Sequence, residues 1–152
     1  MISASGTVSR KFSSRYWDAL FKSRDYLQLV DLSSALCGGP AFRADAAEYG
    51  LPRAAFTFVE SLLWFAQGWR SSVWTYFEST PTARQAAMLN ALETYPAPSG
   101  FAEHYAMGMR NWQDANAIEP VDQWIDSHDS DNNAWLWLVA TENRTLLERL
   151  CT

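Results

Sequence analysis

Phe56-Thr57-Phe58-Val59-Glu60-Ser61-Leu62-Leu63-Trp64-Phe65-Ala66-Gln67-Gly68-Trp69-Arg70-Ser71-Ser72-Val73-Trp74-Thr75-Tyr76-Phe77 carries eight aromatic side chains in 22 residues. Phe58, Leu62, Phe65 and Trp69 recur at i, i+4, i+7 and i+11, which is one face of a helix. Pro52 stands just ahead, in the first-turn position where its missing N–H costs nothing. The spacing predicts a central core helix from Pro52 to about Gln67, with Gly68 as a kink or break. Val73, Tyr76 and Phe77 then continue an apolar face to Ser79. Read as one helix, this second half sets Arg70, Trp74 and Glu78 four apart, a cation, a ring and an acid in a row. Aromatic stripes are usually core. A working surface in this region therefore belongs on the Arg70–Trp74–Glu78 face, not in the ring-dense half.

Upstream, a helix is predicted after Ser13 or Ser14, with Trp17, Leu20 and Phe21 on one face. Tyr26, Leu27, Val30 and Leu32 continue it until Cys37-Gly38-Gly39-Pro40 stops it. Phe42 to Tyr49 reads as a short helix ended by Gly50. Downstream, Thr80-Pro81 is a cap followed by a first-turn proline, opening a helix that ends near Tyr95. Pro96-Ala97-Pro98-Ser99-Gly100 is a loop. Phe101, Tyr105, Met109 and Trp112 mark another helix, Pro120 opens a short one, and the last begins near Asn133. No segment alternates with period two, and no Asn-Gly or Asp-Gly hairpin occurs. The expected fold is all-α, one compact domain of six to eight helices over residues 14–152, with residues 1–13 as a flexible tail.

A length of 152 residues fits one domain, and 48% hydrophobic with 19% charged residues is a globular composition. The net charge of −5 is unevenly spread: residues 1–44 carry +3, residues 45–100 carry −2 and residues 101–152 carry −6. Phosphate binding needs a basic face, so this balance argues against direct nucleic-acid binding and permits a basic partner protein. Cys37 and Cys151, 114 positions apart, make neither a disulfide framework nor a metal site, and are expected as reduced thiols. The N-terminus lacks the apolar stretch of a signal peptide, and the longest apolar run, Ala134–Ala140, is too short to span a membrane. A cytoplasmic protein is expected. Arg outnumbers Lys ten to two, a bias that fits a GC-rich bacterial genome.

Glu119–Asp131 holds Glu119, Asp122, Asp126, Asp129 and Asp131 without a Lys or Arg. Asp129, Asp131 and Asn133 match the first ligand positions of a calcium loop, but Ala134 and Ala140 replace its turn glycine and bidentate glutamate. No metal site is expected. The segment reads instead as a solvated loop capping the last helix, or as an acidic contact surface. His104 and His128 are the only histidines, and no nucleophile elbow, zinc-protease motif or phosphate loop accompanies them.

Three steps lie within Trp64–Trp112: Tyr76-Phe77-Glu78-Ser79, Met88-Leu89-Asn90-Ala91-Leu92-Glu93 and Phe101-Ala102-Glu103-His104-Tyr105. In these the chain resembles a bacterial family of small helical proteins that includes acidic DNA mimics. The family's Asn-Gly-Gly before the aromatic pair is replaced here by Arg70-Ser71-Ser72. The resemblance implies an all-α fold and a binding role.

The expected function is therefore non-catalytic protein binding. An immunity protein, an inhibitor or a nucleic-acid mimic would meet a basic partner through Asp122, Asp126, Asp129 and Asp131, with Arg70, Trp74 and Glu78 contributing. No catalytic residue and no cofactor is assigned. The alternative is a small helical enzyme or ligand-binding protein with a pocket at Trp69, Trp74, His104 and Tyr105.

Overall fold

Eleven of the 18 residues of one helix, Arg53–Arg70, are buried, in the unbroken run Ala54–Leu62 and at Trp64 and Phe65. A helix apolar on nearly every side is stable only when other elements enclose it. The computed structural model describes residues 12–152. Among these it places nine helices and no strand: α1 Ser14–Ser23, α2 Tyr26–Cys37, α3 Arg53–Arg70, α4 Trp74–Ser79, α5 Thr82–Thr94, α6 Phe101–Asn111, α7 Ala115–Ser127, α8 Asp129–Glu142 and α9 Arg144–Leu150. The helix α3 is the axis of one compact arrangement, packed against α2, α4, α5, α7 and α8. No described helix is long and apolar enough to cross a membrane.

Two helix starts carry a side-chain cap. Ser13 Oγ accepts from the Tyr16 N–H and starts α1, and Asp114 accepts from the Asn116 N–H and starts α7. The sequence predicts one helix from Ser14 to Cys37, but there are two. Arg24 adopts φ +55°, ending α1, and Asp25 restarts the chain as α2. The break turns α1 toward the C-terminal helices, where Arg144 pairs with Asp18 and the Phe21 ring meets Trp137 edge-on at 5.8 Å. The expected tail, residues 1–13, lies outside the described residues except for Phe12 and Ser13. Phe12 packs on Tyr16 at 4.7 Å.

Four further boundaries differ from expectation. Phe42–Tyr49 is a run of turns rather than a helix. The Arg84 guanidinium of α5 donates to the carbonyls of Ala44, Ala46 and Ala47, which leaves less need for a helical ladder there. The helix α3 does not break at Gly68. A Cβ there would lie 2.8 Å from Ile125 Cδ1, so the glycine instead lets α7 approach closely. Helix α7 begins before Pro120, which is accommodated inside it. Helix α8 begins at Asp129, not near Asn133, and Asn143 separates it from α9.

Six of the eight rings between Phe56 and Phe77 are buried. The largest fully buried one is Trp64, stacked on Phe101 at 5.1 Å and close to Tyr105 and Trp124. The ring-dense half is core, as its spacing predicts.

Candidate functional site

Helices α7 and α8 carry Glu119, Asp122, Asp126, Asp129, Asp131 and Glu142, and no Lys or Arg. Asp126, Asp129 and Asp131 are exposed. The ion pairs among the described residues are Arg53–Glu48, Arg144–Asp18 and Arg144–Glu148, so none neutralises this face. The acidic segment is helical on both sides of His128, not the solvated loop expected. Asp129 and Asp131 lie in the first turn of α8, where the helix dipole favours negative charge. Among the described residues no group of three or more His, Cys, Asp or Glu side chains is placed to hold a metal ion.

Asp122 belongs to the scaffold. Its carboxylate accepts from the Val73 N–H at 2.9 Å and from Ser72 Oγ at 2.6 Å. These bonds tie α7 to the break between α3 and α4 and satisfy an N–H at the start of α4. That break also separates the expected row. Arg70 ends α3 and Trp74 begins α4, so the three are not on one helix face. Arg70, Trp74 and Glu78 are each exposed, Trp74 at 40%.

The close crossing at Gly68 and Ile125 brings the end of α3 beside the α7–α8 junction. There Tyr26, Trp69, Asp126, Asp129, Ser130 and Asn133 line an open cleft of about 370 Å³. The Tyr26 and Trp69 rings meet edge-to-face, with centroids 4.9 Å apart and planes at 78°. Partial burial raises the Tyr26 phenol above its ordinary pKa, and the Asp129 charge adds to the rise. The sequence does not single out Tyr26. It lies 43 positions from Trp69, and no local pattern links the two.

The residues of the alternative pocket go to separate environments. Trp69 lines the cleft without His104 or Tyr105. Tyr105 is fully buried. The His104 ring stacks on Trp124 at 5.1 Å, and His128 stacks on the same indole at 4.8 Å. Each histidine places Nδ1 against a backbone carbonyl, of Gly100 at 2.7 Å and of Trp124 at 2.9 Å. Those bonds assign the Nδ1–H tautomer to both rings. His104 is thus a packed and oriented ring, with no nucleophile among its hydrogen-bond partners.

A second constellation, not read from the sequence, surrounds Glu60. This fully buried residue accepts from the Tyr49 and Tyr76 hydroxyls at 2.5 Å each, and the Tyr76 hydroxyl is 2.7 Å from that of Tyr105. Burial raises the Glu60 pKa, partly offset by the two tyrosine hydrogen bonds and by Arg84. Burial and the Glu60 charge likewise raise Tyr49 and Tyr76. The network joins α3, α4, α6 and the 38–52 connection. Its sequence signal is one acid inside an otherwise uncharged buried run. The thiols are not activated: burial raises Cys37 and pushes Cys151 up to about 12.

No family model, curated protein or solved structure matches this chain.

Proposed function

We propose that this chain is a non-catalytic protein-binding protein that engages a basic partner through the α7–α8 face. An immunity protein, an inhibitor or a nucleic-acid mimic is the matching kind of molecule, in line with the family resemblance of Tyr76–Ser79 and Phe101–Tyr105. The observation that carries the reading is the exposed set Asp126, Asp129 and Asp131, with no ion pair among the described residues, of which Asp126 and Asp129 line a cleft with a partly buried tryptophan, Trp69. Unpaired carboxylates steer a cationic surface and an adjacent large ring anchors it. The structural use of Asp122 removes it from the contact set. Trp74 and Glu78 extend the surface only as separate exposed contacts.

The test begins with a partner captured by the wild-type chain from its host and then purified. Its affinity is measured against the Asp126→Lys, Asp129→Lys, Asp131→Lys triple variant at low and high salt. The expected result is a loss of affinity of about a hundredfold or more at low salt, smaller at high salt, with unchanged helicity. Equal affinity for the folded variant overturns the reading.

A further inference from the structure

We infer that the cleft between Tyr26 and Trp69 is a receptor for one alkylammonium group, the side chain of a lysine on the bound partner. The inference rests on the protein-binding reading and gives it a specific point of recognition.

The cleft combines three features that favour a cation. Asp126 and Asp129 come from different helices on either side of His128, and neither forms an ion pair among the described residues. Trp69 and Tyr26 form a right-angled corner of two rings, the residue types whose faces attract cations best. The crossing of Gly68 on Ile125 fixes the place of that corner. A third point is an unmet hydrogen-bond acceptor. Asn133 Oδ1 is shielded from solvent and has no hydrogen-bond partner.

The arrangement fits ammonium better than guanidinium. A guanidinium binds best to one coplanar carboxylate, with an aromatic face beneath it. Here the two carboxylates belong to different helices and the ring planes meet at 78°. That suits a compact charge with three diverging N–H groups. A volume of about 370 Å³ admits a side chain, and its opening at the surface leaves room for the backbone that carries it.

The experiment uses the full chain and needs no partner. Nα-acetyl-lysine methylamide is titrated while the Trp69 indole N–H resonance, assigned with Trp69→Phe, is followed by NMR. The norleucine and arginine methylamides are the comparison probes. A saturable shift with the lysine probe is expected, weakened about tenfold or more in Asp126→Asn, Asp129→Asn and in the norleucine titration. No shift, or an equal shift with norleucine, overturns the inference. A stronger response to arginine overturns the lysine assignment. Failure here leaves the charge-reversal result standing. Success here with unchanged partner affinity in the triple variant overturns only the protein-binding reading.

Discussion

The Tyr76 hydroxyl donates to the Glu60 carboxylate at 2.5 Å, in a core where both residues are almost entirely removed from solvent. Because burial raises the folded-state pKa of Glu60 above the ordinary 4.5, the folded chain holds the proton more tightly than the unfolded one. Its contribution to stability is then complete below about pH 4.5 and declines as pH rises through the raised value. Glu60→Gln keeps one carbonyl acceptor but cannot ionise. Its stability relative to wild type should improve between about pH 5 and pH 8 in urea titrations. A difference that is flat or falls with pH defeats the assignment. Glu60→Ala strands the Tyr49 hydroxyl, leaves Tyr76 only its Tyr105 partner and opens a cavity, and should cost about 3 kcal/mol or more at either pH.

Asp122 and Asp126 lie four apart on α7 and are predicted to behave differently. Asp122→Ala removes the acceptor for the Val73 N–H and for Ser72, and should cost about 2 kcal/mol. Asp126→Asn touches no bonded group and should stay within about 0.5 kcal/mol of wild type. Chemical denaturation of the two variants separates them. Equal effects would show that Asp122 is merely another surface acid.

The two aspartates also show how far the sequence reading reaches. Both present themselves as acids in one cation-free segment, and only the third dimension reveals that Asp122 caps a helix restart 49 positions away. The core face of α3 was legible because Phe58, Leu62 and Phe65 follow a single local period. The break at Arg24 was not, because a left-handed arginine carries no compositional mark. Phe42–Tyr49 misled for a similar reason: its helix-like composition is overruled by Arg84, more than 35 positions later. The Tyr26–Trp69 corner is a meeting of two helix ends, for which a linear pattern holds no signal.

Gly108 is fitted to one ring. A Cβ there would lie 2.4 Å from Phe77 Cε2 and 2.9 Å from Cζ, and the ring is buried against Tyr76 and Tyr105. Gly108→Ala gains about 1 kcal/mol of helix propensity but forces α6 away from α4, for a net loss of about 2 kcal/mol. Combining it with Phe77→Leu should cost less than the sum of the two single changes. Strict additivity in thermal unfolding would show that the ring and the glycine do not compete for the space.

Arg84 holds the 38–52 connection by geometry more than by charge. Its Nη2 donates to Ala44 O at 2.6 Å and Ala46 O at 2.9 Å, its Nε reaches Ala47 O at 3.3 Å, and its guanidinium lies 4.2 Å from the Tyr49 ring centroid. Tyr49 itself adopts φ +57°, a conformation costly for an aromatic residue unless its surroundings impose it. A lysine keeps the charge but lacks the planar fork that reaches three carbonyls at once. Arg84→Lys should therefore raise amide exchange at Arg43, whose N–H bonds Tyr49 O, and at Tyr49 by about tenfold, equivalent to ~1.4 kcal/mol of local stability. Amides in the middle of α3 should change much less. Unchanged protection at Arg43 and Tyr49 would mean that Glu60 and the Phe42 ring hold the connection without the guanidinium.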